Sequence, residues 1–228
     1  MGELGKLYLV PTPIGNMGDI TRRAIEILRE ADLIACEDTR RSGRLLSHFE
    51  IKSKKISFFE HNEMRRVPQI LDAIKDGQKV AVISDGGTPG LSDPAYRIVT
   101  AAIEAGITVE ALPGPTAAIP ALTASGFPTD RFFFEGYLPL KPGKRKKRLE
   151  ELREFPHTMI FYESVHRIVK SLTDIDEIYG NRRICVGREI SKIHEEYMRG
   201  TALEILEKLG KDKQKGEFVI VIEGNRDA

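Results

Sequence analysis

The sequence predicts an α/β protein of two α/β domains, with a mostly parallel sheet in the N-terminal domain and a mixed sheet in the C-terminal domain. In the first half, short apolar runs alternate with amphipathic segments of helical length, a pattern typical of parallel strands joined by helices. Beyond residue 116 this alternation loosens into an irregular order of helices and strands. The chain of 228 residues is long enough for two domains, predicted at residues 1–115 and 116–228.

The elements of the first half follow from apolar spacing and from residues that begin or end helices. Asn62 is predicted to cap the third helix, and the pair Asp93 and Pro94 predicts the start of the fourth, which Gly106 ends. The predicted strands are residues 7–10, 33–36, 56–59, 79–84 and 108–112. The predicted helices between them are residues 21–31, 40–48, 62–74 and 93–106. The first half is therefore four strand-helix units and a final strand.

The second half has a less regular pattern. Residues 138–143 have the composition of a linker, and we expect a mobile loop there rather than a domain boundary. Residues 190–200 fit a strand and a helix equally well. The predicted helices are residues 117–125 and 166–178, and the predicted strands are residues 132–136, 158–162, 183–188 and 217–223.

Charge, cysteine content and hydropathy exclude several classes of protein. The 35 Lys and Arg residues nearly balance 34 Asp and Glu residues, which excludes a wholly basic protein but allows one basic face. Cys36 and Cys185 lie far apart and no Cys/His cluster has metal-ligand spacing, so a reduced intracellular protein without a metal is expected. No membrane span or signal peptide is recognisable, which favours the cytoplasm and no membrane partner.

The loop of residues 84–94, Ser-Asp-Gly-Gly-Thr-Pro-Gly-Leu-Ser-Asp-Pro, is a candidate ligand site because ligands of parallel sheets bind beyond the carboxyl ends of the strands. Its paired glycines let backbone approach a ligand closely, and Asp85 can accept a hydrogen bond from a ribose hydroxyl or an amine. A tight turn with a helix cap is the alternative interpretation. The fingerprints of dinucleotide and P-loop sites are absent, so a nucleoside ligand would be held in another way.

Two further loops follow predicted strands. Residues 112–118 offer backbone N–H groups and the Thr116 hydroxyl at a helix start, or form only a hinge between domains. Residues 10–21 contain prolines, which make the backbone rigid, and glycines, which lack side chains. This composition suits a rigid segment beside a flat ligand, and it suits a plain turn equally well.

Three polar segments, at residues 36–41, 59–63 and 161–167, place a carboxylate or an imidazole at the tip of a predicted strand. Such a group could orient or deprotonate a nucleophile. Helix capping or ion pairing is the alternative for each segment, and no hydrolase motif accompanies them.

The run of residues 141–148 carries six positive charges and no acidic residue. It predicts a phosphate-binding patch if it faces the site, because Lys and Arg contacts to a polyanion release counterions. A solvated helix start is the alternative interpretation.

Read together, these segments resemble the tetrapyrrole methylase family, the class III S-adenosylmethionine-dependent methyltransferases. The resemblance covers residues 7–224, nearly the whole chain. Within the family, the segments are most similar to bacterial enzymes that methylate the ribose 2′-oxygen of a cytidine in the decoding region of 16S rRNA. The segments that carry the resemblance are LYLVPTPIGNMGDIT, CEDTRRSGRLL, EHNE, SDGGTPGLSDP, PGPTAAIPALTASG, FFEGYLP, FYESVHR, GREISKIHEE and GEFVIVIEG.

The resemblance implies a cytoplasmic homodimer whose two domains bind S-adenosylmethionine in the cleft between them. The cofactor-binding residues carried over from the family are Pro13, Ile14, Asp85, Thr88, Thr116, Ala117, Tyr162, Gly187, Arg188, Glu217 and Phe218. The acceptor would be a ribose hydroxyl of 16S rRNA, free or within the small ribosomal subunit.

A ribose hydroxyl is a weak nucleophile near neutral pH, so we expect a neighbouring base, and we favour the candidates of the first domain. The candidate catalytic residues are Glu37, Asp38, His61, Glu163 and His166. The residues expected to hold RNA phosphates are Arg40, Arg41, Lys144, Arg145, Lys146, Lys147, Arg148 and Arg167. Two alternatives remain: a methyltransferase of this fold acting on a small tetrapyrrole or a protein side chain, and a nonenzymatic RNA-binding module.

Overall fold

A computed structural model describes residues 5–93, 95–210 and 215–226. Pro94, predicted at the first position of a helix, lies outside the described residues. The chain divides into two compact units, unit 1 up to Thr116 and unit 2 from Ala117 onward.

Unit 1 contains a sheet whose strands are all parallel, as predicted. Its strands are β1 (Lys6–Leu9), β2 (Leu33–Cys36), β3 (Lys54–Ser57), β4 (Val80–Ile83) and β5 (Thr108–Ala111). The connecting helices are α1 (Arg22–Glu30), α2 (Thr39–His48), α3 (Glu63–Lys75) and α4 (Ala95–Glu104). The strand order is β3-β2-β4-β1-β5, so β2, β4 and β1 are central.

Helices cover both faces of this sheet, which explains why β2 and β4 are apolar at every position. Every residue of β2 and β4 is buried. One face packs against Leu28 of α1 and Leu46 of α2, and the other packs against Ile70 of α3 and Ile98 of α4. This packing fixes the strands and leaves their carboxyl ends at one edge, where the loops begin.

Unit 2 contains a mixed sheet, as predicted. Its strands are β6 (Phe132–Tyr137), β7 (Thr158–Ser164), β8 (Ile184–Arg188), β9 (Glu196–Gly200) and β10 (Glu217–Ile222). Its helices are α5 (Ala118–Ser125), α6 (Pro142–Glu151), α7 (Ile168–Tyr179) and α8 (Ala202–Leu209). The order is β6-β7-β10-β8-β9, in which β6 and β7 are parallel and the remaining pairs are antiparallel.

Three parts of unit 2 differ from the sequence prediction or resolve it. The prediction of a mobile loop over residues 138–143 is wrong for its last two residues, because α6 begins at Pro142. This helix buries Arg145 and Leu149, one turn apart, on its inner face. The undecided segment 190–200 ends in β9, which pairs with β8. Helix α8 was not predicted, although Thr201 and Glu204 form a capping box at its start. Among the described residues, no helix is long and apolar enough to cross a membrane.

Candidate active site

Three loops of unit 1 join into one surface at the carboxyl edge of the parallel sheet. Thr12, after β1, and Gly87, after β4, exchange two backbone hydrogen bonds of 2.9 Å each. The Thr88 hydroxyl donates to the Pro115 carbonyl oxygen, after β5, at 2.9 Å. The loops that the sequence singled out separately are therefore hydrogen-bonded neighbours, because β4, β1 and β5 are adjacent in the sheet.

Two glycines permit this close approach of loops. Gly87 has φ +91°, and a Cβ added there would lie 3.4 Å from Ile14 Cγ2 and 3.6 Å from the Pro115 carbonyl oxygen. A Cβ added at Gly114 would lie 2.5 Å from Pro11 Cβ, closer than carbon atoms pack. The loops can lie this close together because neither position has a side chain that would separate them.

Pro13, Thr116 and Ala117 also lie on or beside these loops. A Cβ added at Gly86 would lie 3.4 Å from the Pro13 carbonyl oxygen, so this backbone segment faces Pro13 directly. Thr116 is the last residue of unit 1. Ala117 precedes α5, and its carbonyl oxygen accepts a hydrogen bond from the Ala121 N–H at 3.2 Å.

Asp85 connects these loops to the loop that follows β2. Its Oδ1 accepts a hydrogen bond from the Asp38 N–H at 3.0 Å, and its Oδ2 lies 3.2 Å from Arg41 Nη1. A carboxylate has about four lone-pair positions, so Asp85 retains capacity to accept from a hydroxyl. The predicted cofactor ligand is thus also a structural link between two strand-tip loops.

Glu37 lies in the same loop and has the properties of a base. Glu37 is exposed, yet partial desolvation raises the pKa of its carboxyl, as does the negative charge of Asp85, while a backbone hydrogen bond with Asp85 offsets part of the effect. Together with Phe58, Ser84 and Asp93, Glu37 lines a small cavity that is open to solvent. A carboxylate with a raised pKa accepts a proton more readily than an ordinary one.

Asp38 caps α2 instead of facing the cavity. Its Oδ1 accepts hydrogen bonds from the N–H groups of Arg40, at 2.7 Å, and Arg41, at 3.4 Å. These bonds, the Arg40 one foremost, lower the pKa of Asp38. A helix-capping carboxylate with a lowered pKa is a poor proton acceptor, so the geometry favours Glu37 over its neighbour.

The turn between β3 and α3 contains His61, which is exposed and meets the Phe59 ring edge-on with 6.1 Å between ring centroids. Asn62 is the N-cap residue of α3, as predicted, but its side chain makes no capping hydrogen bond. The Asn62 amide oxygen accepts from the Phe59 N–H at 2.9 Å, and its amide nitrogen donates to the Ser57 carbonyl oxygen at 3.2 Å. Asn62 therefore closes the turn that presents His61.

Glu163, the second-unit candidate for a base, is buried and bound within unit 2. Its carboxylate accepts hydrogen bonds from the Ser164 N–H, at 2.8 Å, and from the Ser171 hydroxyl. Arg167 Nε lies 3.3 Å from the same carboxylate, and the Arg167 guanidinium also donates to the Leu138 carbonyl oxygen. These contacts support neither Glu163 as a base nor Arg167 as an RNA contact, because both are engaged internally.

His166 and two predicted cofactor residues have more open surroundings. His166 is exposed in the segment between β7 and α7. Tyr162 meets Phe134 and Tyr137 edge-on, with ring centroids 5.0 and 5.8 Å apart. Glu217 is exposed and its carboxylate accepts a hydrogen bond from Lys192 at 2.8 Å.

Three other predicted cofactor residues of unit 2 have roles in packing. Phe218 is buried in the hydrophobic core. Arg188 donates to the Lys215 carbonyl oxygen at 2.8 Å. A Cβ added at Gly187 would lie 2.8 Å from Ile190 Cδ1, so the absence of a side chain there is required by packing.

Ion pairs within unit 2 neutralise half of the basic run. Arg145 is buried and lies 2.6 Å from Asp174 on α7. Arg148 binds both carboxylate oxygens of Glu135, at 2.7 and 2.8 Å. Lys146 pairs with Glu177 of α7. The expectation that Arg145 contacts RNA is not supported, because a buried arginine cannot reach a phosphate in solvent.

Lys144 and Lys147, with Lys141 at the start of the run, are the members that remain suited to phosphate contact. All three are exposed, and no carboxylate pairs with any of them within the described ranges. On α2, Arg40 is similarly open, with 91% of its side chain exposed and Asp38 as its neighbour at 3.8 Å.

Sequence reasoning treated Asp93 only as the start of a helix. Its Oδ1 does accept from the Gly90 N–H at 2.8 Å and the Ala95 N–H at 2.9 Å, but the residue also lines the cavity beside Glu37. Phe58 of this cavity was missed as well. The available signal was weak, because Phe58 lies inside the predicted strand 56–59 and Asp93 at the far end of the loop that follows the predicted strand 79–84.

The chain is similar to known methyltransferases over most of its length. Residues 6–206 match the family model of the tetrapyrrole (corrin/porphyrin) methylases. The "Ribosomal RNA small subunit methyltransferase I" of Vibrio cholerae serotype O1 is 46% identical over 225 residues, covering 97% of this chain and 78% of the relative. The protein of that name from Escherichia coli O157:H7 is 45% identical, covering 97% of this chain and 79% of the relative.

Solved structures share the fold at low sequence identity. Uroporphyrin-III C-methyltransferase of Thermus thermophilus, complexed with S-adenosyl homocysteine, has a TM-score of 0.65 and 20% identity, covering 98% of this chain and 99% of that structure. The cobalamin biosynthetic enzyme cobalt precorrin-4 methyltransferase has a TM-score of 0.70 and 16% identity, covering 96% and 94%.

Proposed function

Because the chain belongs to the tetrapyrrole methylase family, we propose that it is an S-adenosylmethionine-dependent methyltransferase of the 16S rRNA in the small ribosomal subunit. The observation that carries this conclusion is 46% identity, across 97% of the chain, to a ribosomal RNA small subunit methyltransferase. The tetrapyrrole enzymes share the fold at only 16 to 20% identity. RNA is therefore favoured over a tetrapyrrole or a protein side chain as the methyl acceptor.

The residues at the carboxyl edge of unit 1 fit the methyl donor. When bound, S-adenosylmethionine supplies a methyl group that its sulfonium already activates. Asp85 has acceptor capacity for ribose hydroxyls, and Thr88 and Ile14 lie on the joined loops beside it. The glycine-thin surface at Gly86 and Gly87, which side chains would fill, allows backbone groups to approach a flat nucleoside.

The acceptor in this proposal is the ribose 2′-oxygen of a cytidine, and Glu37 is the base. The Glu37 carboxylate accepts the 2′-hydroxyl proton, which increases the nucleophilicity of the oxygen as it attacks. The raised pKa of Glu37 supports this role, and the lowered pKa of Asp38 argues against the adjacent carboxylate. Loop contacts around Asp85 hold the base in position, so that positioning and proton transfer act together.

RNA phosphates are held by exposed cations in this proposal. Arg40, Lys144 and Lys147 have the exposure that this role needs. A homodimer acting in the cytoplasm completes the proposal, on the family resemblance and on the location of ribosomal subunits.

The test is methyl transfer from radiolabelled S-adenosylmethionine. Purified protein is incubated with free 16S rRNA or with small subunits from cells that lack the activity, and the labelled nucleotide is mapped by nuclease digestion. Label on a cytidine ribose supports the proposal, and the better substrate identifies the natural form of the RNA. Cofactor binding without transfer to either RNA would contradict the proposed acceptor.

A further inference from the structure

Arg41 was expected to bind an RNA phosphate, but its contacts connect it to the base and to the cofactor loop. Its Nη1 lies 3.2 Å from Asp85 Oδ2, and its backbone N–H donates to Asp38 Oδ1 at 3.4 Å. Among the residues that the structure describes, Arg40, one position earlier on the same helix, has Asp38 at 3.8 Å as its acidic neighbour. Two adjacent arginines thus have different surroundings.

Asp85 links Arg41 to Glu37, so the position of Glu37 depends on Arg41 through Asp85. One Asp85 carboxylate oxygen pairs with Arg41, and the other accepts from the N–H of Asp38, the residue that follows Glu37. Asp85 also acts on the pKa of the Glu37 carboxyl, which its negative charge raises and its backbone lowers. Side chain and backbone of one aspartate therefore connect the start of α2, the base and the loop after β4.

We propose that Arg41 is a positioning residue, which orients Asp85 and through it the Glu37 carboxylate for methyl transfer, instead of a contact to RNA. This inference rests on the proposed function. It separates Arg41 from Arg40, which keeps the phosphate-binding role.

The charges around Glu37 give this role a measurable signature. Asp85 and Asp93, from the loop after β4, raise the pKa of Glu37, and Arg41, from α2, lowers it. Glu37 must be ionised to accept a proton, so the rate rises with pH through its pKa. Removing the Arg41 charge raises that pKa further, and the acid limb of the pH–rate profile then moves to higher pH.

The experiment compares Arg41→Gln with the matched control Arg40→Gln in the full-length protein. For Arg41→Gln we expect kcat to fall by about tenfold or more, because a displaced base transfers protons poorly. The acid limb should move to higher pH, while KM for RNA and the salt dependence of RNA binding stay near wild type. Arg40→Gln should raise KM and reduce the salt dependence with its acid limb unmoved. Arg41→Lys should return the limb toward its wild-type position.

A raised KM for Arg41→Gln, with kcat and the pH profile unchanged, would identify Arg41 as an RNA contact and overturn the inference. Calorimetry with S-adenosylhomocysteine distinguishes failure of the inference about Arg41 from failure of the proposed function. If the wild-type protein methylates no RNA, the proposed acceptor is wrong. The inference then still requires that Arg41→Gln weaken S-adenosylhomocysteine binding more than Arg40→Gln does, and equal affinities would overturn it.

Discussion

Two arginine–aspartate pairs, one in each unit, differ mainly in burial. Arg41 and Asp85, at the loop edge of unit 1, have side chains that are 62% and 23% exposed. Arg145 and Asp174, between α6 and α7 of unit 2, are 4% and 9% exposed. The partly exposed pair leaves acceptor positions of Asp85 available to a ligand, whereas the buried pair uses its donors and acceptors within the protein.

The two pairs show that residue type alone does not identify which charged side chains take part in function. An exposed ion pair contributes about 0 to 1 kcal/mol to stability and can exchange partners with a ligand. Breaking a buried pair leaves an uncompensated charge and costs several times more. The Arg41–Asp85 pair is therefore expected to control activity, and the Arg145–Asp174 pair stability.

The largest effect should come from Glu37→Gln, which removes the proposed base. We expect kcat to fall by about 10²- to 10⁴-fold and the acid limb of the pH–rate profile to disappear, because glutamine accepts no proton in this range. Glu104→Gln, at the exposed end of α4, is the control and should retain wild-type kcat. Full turnover by Glu37→Gln would exclude it as the base.

The second-largest effect is expected from Arg145→Ala, which tests the contribution of the buried Arg145–Asp174 pair to stability. Leaving Asp174 buried without its partner should lower the free energy of unfolding by about 3 to 5 kcal/mol, measured by chemical denaturation. Lys147→Ala, on an exposed position of α6, should change it by no more than about 0.5 kcal/mol. Equal free energies of unfolding for the two variants would show that the burial of Arg145 does not make it more important for stability than the exposed Lys147.

A smaller effect is expected from Gly114→Ala, which separates the joined loops of unit 1. The added Cβ would lie 2.5 Å from Pro11 Cβ, so the backbone must shift, at a cost of about 1 to 3 kcal/mol. Binding of S-adenosylhomocysteine should weaken as well. Gly143→Ala, where an added Cβ meets nothing within 4 Å, is the control and should leave both quantities near wild type.

The smallest effect should come from the double substitution Lys144→Gln and Lys147→Gln. Loss of two exposed cations should reduce the slope of log affinity against log salt by about two and leave stability unchanged. The measurement is a salt titration of 16S rRNA binding, with Lys52→Gln of unit 1 as the control. An unchanged slope would remove α6 from the RNA-binding surface.

The sequence was most informative where local apolar patterning is strong. The bounds predicted for β2, residues 33–36, agree with the structure because every position of that strand is buried. For β3, residues 56–59 were predicted and Lys54–Ser57 observed, since the register against β2 places Lys54 opposite Leu33. Exposed lysines at the start of an edge strand give no apolar signal.

For the candidate site, the sequence located the loops but not the partners within them. It identified Glu37, Asp38, Arg41 and Asp85 as polar residues after strands. It could not predict that Asp85 pairs with Arg41, because the two residues are 44 positions apart and meet only when β2 and β4 become neighbours.

The fold class, the parallel and mixed sheets and the family were predictable from the amino-acid sequence, because periodic apolar residues and segment order are local properties. Tertiary structure decided which charges act on ligands and which hold the fold. Arg145 and Lys147 are two residues apart in one basic run, yet only Arg145 faces Asp174, 29 positions later. Burial and pairing depend on which helices pack together, and that packing is not written in any single segment.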